Sequence, residues 1–444
     1  MAETKTFEVA VIGGGVIGVM TALGLIQRGI TVIIYERAPS WHEISAGFAF
    51  TAVARECMRR LDPRILEVLS RISQKTDPDQ AEASTSYWSA YHPATKDEAE
   101  DESTSLLFRL PANKLAFWGC VRSHFLLGMA ELLPEGVVQF GKQLASYEDN
   151  KDGSKVTLVF ADGTRAEAHA VLGCDGIHST TRKLLLGADH PAVRPSYTHT
   201  VAYRTMVPMD AAIAALGRTK ASSACMHCGP NANMMSYPVM NGTLLNVAFF
   251  AHEASPFPDP ERMTTPASRD ELVRLAAGWA PHMAEIASLF PETMVKWGIF
   301  DMDEHPAPTY ARGRVCLAGD AAHASSPFQG VGACIGVEDA LVLCEALATV
   351  LQGSGRGSSG APGAAAIEHA LRAYSRARVP RGQWVVRSSR EMGEIYQWRY
   401  GPTGRDPEKS RLKLERESRT VWDYDVGRVV DEIRVHAAAA ATAA

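Results

Sequence analysis

The sequence predicts an α/β fold with a Rossmann-like domain, an inserted antiparallel β-sheet domain and a C-terminal helical region. Residues 7–12, FEVAVI, are almost wholly apolar, a pattern typical of a parallel strand covered on both faces. A glycine turn, the helical stretch VMTALGLIQRG and a second apolar strand, TVIIYE, follow directly. Together these segments predict a βαβ unit, the building block of a parallel sheet.

Two later segments repeat the order of strand, turn and helix, and the residues between them do not. Residues 164–187 and 313–351 each place an apolar strand before a turn and a helix. Residues 187–298 instead alternate and contain turn signals such as Asn241-Gly242, which predicts an antiparallel sheet. The Gly/Ser-rich residues 352–366 predict a mobile loop between helices.

Composition limits the possible partners and the compartment. The 444 residues carry 45 Lys and Arg against 50 Asp and Glu, a net charge of -5, without a basic block. This balance argues against a nucleic-acid partner. The chain starts without a signal-peptide pattern and lacks a run of ~18 apolar residues, so we expect a cytoplasmic protein without a membrane span. Eight scattered cysteines indicate buried thiols, and Cys225 and Cys228 lack a second ligand pair, so we expect no metal site.

The first glycine turn carries a nucleotide-binding pattern. Gly13, Gly15 and Gly18 fit G-x-G-x-x-G directly after a strand and at the start of a helix, where bare backbone and the helix N-terminus accept a pyrophosphate. Glu36 ends the second strand, where a carboxylate binds ribose hydroxyls and repels a 2'-phosphate. The motif therefore predicts NAD or FAD and does not choose between them.

The late turn, GDAAHASSPFQGVGACIGVEDA at 319–340, is poor in side chains. Asp320 follows a strand and offers a carboxylate to a polyol hydroxyl, and Pro327 fixes a turn. Gly330, Gly332 and Ala333 leave bare N–H groups at a helix start, suited to negative charge on a flat, reducible ring. Close packing of a helix, without any ligand, is the alternative explanation of the same small residues.

Three motifs together, GGGVIG, GCDGIHSTTR and LAGDAAHASSPFQGVGACIGVEDA, resemble those of group A flavoprotein monooxygenases, the family of para-hydroxybenzoate hydroxylase and salicylate hydroxylase. The resemblance extends from about residue 7 to RTVWDYDVG at 419–427 and is strongest to the fungal branch that hydroxylates and dearomatises phenols. It implies FAD as cofactor, NADPH or NADH as co-substrate, O2, a small phenolic substrate, and a monomer or homodimer.

The resemblance also implies a division of the chain and a set of cofactor contacts. The expected parts are an FAD-binding domain at 1–80, 105–186 and 299–351, a β-sheet substrate domain at 187–298, a helical region at 367–436 and a disordered tail at 437–444. The expected contacts are Gly13, Gly15 and Gly18 to the pyrophosphate, Glu36 to the adenosine ribose, Ala49 and Arg122 along the flavin side, Asp175 to FAD and NAD(P)H, Asp320 to the ribityl chain and Ala333 to the isoalloxazine. Arg122 paired with a nearby carboxylate is the alternative.

The candidate catalytic residues are Arg204 and Tyr237. In HTVAYRTMV, Arg204 is a charge in the middle of an uncharged strand, which is costly unless it meets a partner or lines a wet cavity. The resemblance implies that Arg204 binds a phenolate and lowers its pKa, while Tyr237 hydrogen-bonds the same oxygen or an adjacent carbonyl. A salt-bridged arginine and a packed tyrosine are the alternative. Where the family commonly has Ser-Pro-His, this chain has Ser326-Pro327-Phe328.

The expected function is hydroxylation of a polyketide-type phenol through a C4a-hydroperoxyflavin, with loss of aromaticity where the attacked carbon carries a methyl group. A decarboxylative hydroxylase of salicylate-like acids, in which Arg204 faces a carboxylate, is one alternative. A flavin-binding redox module without oxygenase activity is the other.

Overall fold

The computed structural model describes residues 6–41, 47–73, 84–91, 105–111, 117–150, 155–353 and 361–441. The strands are β1 Glu8–Ile12, β2 Thr31–Glu36, β3 Gly47–Phe50, β4 Ser84–Ser89, β5 Leu106–Pro111, β6 Trp118–Val121, β7 Val138–Phe140, β8 Leu144–Glu148, β9 Val156–Phe160, β10 Arg165–Ala168, β11 Ala170–Gly173, β12 Ser196–Pro208, β13 Cys225–Gly229, β14 Ala232–Val239, β15 Leu244–His252, β16 Thr264–Ser268, β17 Thr293–Asp301, β18 Ala311–Arg312 and β19 Val315–Leu317.

The helices alternate with these strands in the first half of the chain and follow one another at its end. They are α1 Val16–Ile26, α2 Ala52–Leu61, α3 Pro63–Ile72, α4 Arg122–Ala130, α5 Thr180–Leu186, α6 Met209–Leu216, α7 Arg218–Ala221, α8 Arg269–Leu275, α9 Pro281–Ser288, α10 Asp320–His323, α11 Gly332–Gly353, α12 Ala364–Tyr396, α13 Pro407–Trp422 and α14 Val426–Ala441. Short 3₁₀ turns lie at Pro191–Val193 and Pro327–Gln329.

A six-stranded sheet carries the motif turns. Its order is β18-β19-β11-β1-β2-β7, and neighbouring strands are parallel except for the antiparallel pair β18 and β19. Ile12, Gly173 and Leu317 lie side by side in register at the ends of β1, β11 and β19. Each of these strands leads within two residues into one of the three turns. The carboxyl edge of the sheet therefore brings together motifs that are about 150 residues apart in sequence, as ligand sites in parallel sheets require.

An eight-stranded sheet forms the second layer, in the order β16-β17-β12-β15-β14-β13-β4-β5. Its pairs are antiparallel except for β13 and β4. The two sheets and the C-terminal helices confirm the predicted fold class. The expected boundaries of the sheet domain are wrong in detail, because β4 and β5 come from outside 187–298 and β17 ends at Asp301. β5 joins this sheet by pairing with β4.

The two faces of the large sheet have different neighbours. On the back face, Val201 and Tyr203 pack with residues of helices α6, α8 and α9 such as Leu216 and Met283. On the front face, Met226 and Cys228 pack with Met392, Ile395 and Tyr396 of α12, and Ala202 and Phe250 pack with Phe328. The front face is therefore the one turned towards the late glycine turn.

The C-terminal helices differ from the prediction at both ends. Helix α14 continues to Ala441, and Ala437 is buried in the main core, so the predicted disordered tail is wrong for 437–441; residues 442–444 lie outside the described residues. An alanine-rich run looks featureless, yet alanine has the highest helix propensity. The predicted loop at 352–366 is shorter, because α11 ends at Gly353 and α12 begins at Ala364; residues 354–360 are outside the described part.

In the described ranges, no helix is long and apolar enough to cross a membrane. The same ranges contain no group of three His, Cys, Asp or Glu side chains placed to hold a metal ion. All eight cysteines are free and buried. Cys225 and Cys228 are three residues apart in β13, so their side chains point to opposite faces of the sheet and cannot share a ligand.

Candidate active site

The first turn needs two of its glycines for packing inside the protein. Gly13 has φ +101°, and a Cβ there would lie 2.6 Å from the backbone oxygen of Cys174. A Cβ on Gly18 would overlap the backbone oxygen of Gly13. These glycines allow α1 to begin hard against β1 and β11.

Gly15 has a different reason to be small. It caps the N-terminus of α1 in extended backbone, with φ -71° and ψ 178°, a conformation open to any residue. A Cβ there would meet no atom within 4 Å. None of the described neighbours requires Gly15 to be small. The open space in front of a helix N-terminus fits the pyrophosphate that the sequence motif predicts.

Glu36 reaches the same turn from the end of β2. The Gly14 N–H donates to Glu36 Oε2 at 2.6 Å, and the Ala38 N–H donates to Oε1 at 2.8 Å. These bonds fix the carboxylate at the mouth of the turn. Each oxygen keeps a lone pair for a ribose hydroxyl, so the residue fits its predicted partner.

Asp175 has a structural role. Its carboxylate accepts hydrogen bonds from the Thr181 N–H at 2.9 Å, the Thr181 hydroxyl at 3.0 Å and the Ser179 hydroxyl at 2.5 Å. It therefore holds the first turn of α5. The neighbouring Gly176 has φ +74° and open space where a Cβ would be, which leaves backbone of this turn available to a ligand.

Sequence reasoning missed Arg182. Its side chain is fully buried, and its guanidinium donates to the backbone oxygens of Ile177 at 2.5 Å, Val193 at 3.1 Å and Ala321 at 3.0 Å. Burial lowers the pKa of Arg182 to about 10, which keeps it charged at neutral pH. Arg182 thus ties the middle turn to the late one. The signal for it was a cation at the end of GCDGIHSTTR, in the first turn of α5 and before its apolar residues.

Packing within the protein explains why some residues of the late turn are small, and it does not explain others. A Cβ on Gly319 would lie 3.2 Å from Ile17 of α1, and one on Gly336 would lie 2.7 Å from the same side chain. Gly330 has φ +70° and no atom within 4 Å of a Cβ. Gly330 therefore faces open space as Gly15 does, and Ile17 fills the gap between the first and the late turn.

The aspartates of this turn lie in opposite environments. Asp320 is exposed at the start of α10, as expected for a residue that binds a ligand hydroxyl. Asp339 is fully buried: it accepts from the Gly319 N–H at 3.0 Å and from Arg378 at 2.7 Å, and it lies 2.5 Å from His323 Nε2. Burial alone would raise the pKa of Asp339, but His323 and Arg378 outweigh burial and lower it. His323 therefore braces the turn through Asp339.

We predict contrasting effects of Asp320→Ala and Asp339→Ala. Asp320→Ala should nearly keep the melting temperature and lower the FAD content of purified protein, because the exposed carboxylate accepts no hydrogen bond from another described residue. Asp339→Ala should cost about 3–5 kcal/mol of unfolding free energy, because it leaves Arg378 buried without this partner. Thermal melting and the flavin-to-protein absorbance ratio check both. Equal flavin loss at unchanged stability in the two variants would contradict the assignment.

The remaining predicted cofactor residues lie around the start of α11. Ala49 is half-buried in β3, and its backbone oxygen accepts from the Cys334 thiol at 3.5 Å, next to Ala333. Arg122 is exposed at the start of α4, directly after β6, the strand that pairs with β3. Ala49 and Ala333 are therefore brought together, and Arg122 lies at the end of the same two-stranded sheet.

Arg204 and Tyr237 share the front face of the large sheet. In the register, Arg204 of β12 lies opposite Ala248 of β15, and Tyr237 of β14 lies opposite Asn246 on the other side of β15, so the two side chains point to the same face with β15 between them. The surrounding protein lowers the pKa of Arg204, and Tyr237 opposes this effect. Burial raises the pKa of Tyr237, and Arg204 opposes that shift. Among the described residues, Tyr237 is the group that acts electrostatically on Arg204.

Known proteins are similar to this chain in sequence and in fold. A family described as FAD binding domain matches residues 6–389. An FAD-dependent monooxygenase of Aspergillus terreus is 52% identical over 97% of this chain and 97% of its own. A salicylate hydroxylase of Sarocladium schorii is 41% identical over 97% and 91% of the two chains. The solved structure of a salicylate hydroxylase substrate complex has a TM-score of 0.82 at 29% identity, covering 98% and 99% of the two chains.

These findings confirm the resemblance seen in the motifs. The matched region contains all three turns, and the relatives span almost the whole chain. The open space at Gly15 and Gly330 gives the cofactor of such proteins room at the carboxyl edge of the parallel sheet. The chain therefore belongs to the family of FAD-dependent aromatic monooxygenases that includes salicylate hydroxylase.

Proposed function

We propose that this protein uses FAD, NAD(P)H and O2 to hydroxylate a phenolic aromatic substrate, with loss of aromaticity where the attacked carbon carries a methyl group. One observation carries the proposal: Arg204 and Tyr237 lie on the two strands that flank β15 and point to the sheet face turned towards the late glycine turn. The contact between Phe328 of that turn and Phe250 of the sheet, with ring centroids 5.0 Å apart, supports this orientation.

The side chains on this face have different roles in the proposed reaction. Arg204 binds the phenol as its phenolate and lowers the phenol pKa, because a nearby cation favours the charged form. Tyr237 has a raised pKa, so it stays protonated at neutral pH and donates a hydrogen bond to the same oxygen. Ala202, Ala248 and Phe250 form an apolar wall that excludes water. Bound FAD supplies the oxygen-transfer chemistry, and NAD(P)H supplies the electrons.

A salicylate-type decarboxylative hydroxylase is the second candidate. Two of the similar proteins named above are salicylate hydroxylases, one in sequence and one in structure. In this version Arg204 pairs with the carboxylate of the substrate. The two candidates differ in the anion bound by Arg204 and in whether carbon dioxide leaves.

The test combines turnover with isotope labelling. Purified protein loaded with FAD is mixed with NADH or NADPH and a panel of phenolic aldehydes, phenolic ketones and salicylate under isotopically labelled O2. We expect a phenol to speed up NAD(P)H oxidation and to gain one labelled oxygen atom. Label in catechol with release of carbon dioxide from salicylate would favour the second candidate. NAD(P)H oxidation that no compound affects, without a labelled product, would overturn both and favour a redox module.

Tyr237→Phe should lower kcat/KM for the phenol about tenfold or more, the effect of losing a hydrogen bond to a charged group. Tyr203→Phe is the matched control, because Tyr203 points to the back face, where its hydroxyl donates to Glu271 at 2.7 Å. The control should lose stability and keep its kcat/KM. Steady-state kinetics and thermal melting separate the two effects, and unchanged kcat/KM in Tyr237→Phe would remove Tyr237 from the proposal.

A further inference from the structure

We propose that Phe328, held in a notch left by Gly393, makes the site selective for one class of phenolic substrate. The preferred substrate carries an uncharged, apolar group beside its phenolate and not a second anion. The inference rests on the proposed function and adds the substrate class to it. The 3₁₀ turn Pro327–Gln329 places Phe328 between the late glycine turn and the front face of the sheet.

The position of the Phe328 ring is fixed from two sides. Its centroid lies 5.0 Å from Phe250 of β15 and 6.3 Å from Tyr396 of α12. The ring is half-buried and packs with both apolar clusters of the front face. It therefore joins these clusters while part of it remains accessible.

Gly393 lies inside the long helix α12, where glycine is less favourable than alanine. A Cβ on Gly393 would lie 2.5 Å from Phe328 Cε2. The ring thus occupies the space that any other side chain at 393 would take. This contact fixes how far Phe328 extends towards the sheet, and a larger residue at 393 would push the ring towards the substrate.

The register relates Phe328 to the anion site. Phe250, the sheet partner of Phe328, lies opposite Ala202, and Ala248 lies opposite Arg204, two residues further along β12. An apolar cluster packs against Phe328 on this part of the face: Ala202, Ala248, Phe250, Trp297 and Ile299. A second anionic group on the substrate would lie against this wall, where desolvation without a partner is costly. An alkyl or other apolar substituent would bury its surface there.

The test compares two probes that differ in one substituent: a methyl-substituted dihydroxybenzaldehyde and the benzoic acid with the same ring pattern. Binding of each to the FAD-loaded protein is measured by the perturbation of the flavin absorbance, and kcat/KM is measured in parallel. We expect the wild type to prefer the aldehyde by about tenfold or more, and Phe328→His to shrink this ratio by about tenfold, since a polar ring accommodates the carboxylate. Phe257→Leu, a change on the back face, is the control and should leave the ratio unchanged.

The notch has its own test. Gly393→Ala should impair folding and weaken binding of the aldehyde. The double variant Gly393→Ala and Phe328→Ala should restore both. An unchanged binding ratio in folded, yellow Phe328→His, or tighter binding of the acid by the wild type, would overturn the inference. Binding is measured directly and does not depend on turnover. If the two probes bind at the expected ratio and neither gives a product, only the proposed function is overturned.

Discussion

Replacing Arg204 by alanine is expected to leave a folded, yellow protein that has lost turnover of its phenolic substrate. Arg204 is exposed on the front face of the sheet and forms no ion pair with another described residue, so its removal should leave the fold intact. The loss concerns a charged hydrogen bond to the phenolate, about 2–3 kcal/mol, which corresponds to a fall of roughly 30- to 150-fold in kcat/KM.

Two variants serve as controls for Arg204→Ala. Arg262 is 82% exposed on its side chain and pairs with Asp259 on the surface, so Arg262→Ala should keep full activity. Arg204→Lys should recover part of the lost activity, because it restores the charge and lacks the planar fork of the guanidinium. Steady-state kinetics at fixed flavin content check the series. Full activity in Arg204→Ala would remove the anion site from the proposal.

Gly15→Ala and Gly18→Ala are expected to fail in different ways. Gly15→Ala should fold with nearly unchanged stability, since its Cβ meets no atom within 4 Å and its backbone is extended. It should bind FAD about 10- to 100-fold more weakly, because the methyl group takes the space of the pyrophosphate. Gly18→Ala should lose at least about 1–3 kcal/mol of unfolding free energy, because its Cβ overlaps the backbone oxygen of Gly13.

Titration of apoprotein with FAD, followed by flavin fluorescence, together with denaturant unfolding, distinguishes the two glycine variants. Gly29→Ala is a suitable control, because Gly29 also has open space where a Cβ would be and lies beyond the far end of α1. Its φ of +75° strains an alanine slightly. It should affect stability and not FAD affinity. Wild-type FAD affinity in Gly15→Ala would mean that the space in front of α1 does not receive the pyrophosphate.

The sequence was sufficient to predict what depends on local order along the chain. The apolar strands, the glycine turns and the alternation through Arg204 are local patterns, and the three turns meet because parallel strands share one carboxyl edge. The pairing of β4 with β13 joins segments more than 100 residues apart through backbone hydrogen bonds. Such pairing leaves no mark in the composition of either segment.

The buried ionic residues around the late turn were the main omission. Arg182, Asp339 and Arg378 are charged residues in segments that otherwise look like ordinary helices, and a helix pattern places charges towards solvent. Their burial follows from partners on other elements, such as the Gly319 N–H for Asp339. Phe328 was noticed in the sequence as a departure from the family pattern, but its relation to Gly393 depends on the packing of α12.

We expect the flavin to lie at the carboxyl edge of the parallel sheet, in the open space in front of Gly15 and Gly330. The most direct measurement is the visible absorption spectrum of the purified chain after incubation with FAD and removal of the free cofactor. The account predicts a yellow protein with one FAD per chain, and a marked loss of colour in Gly15→Ala and Asp320→Ala. A wild-type protein that is well folded and stays colourless would contradict it.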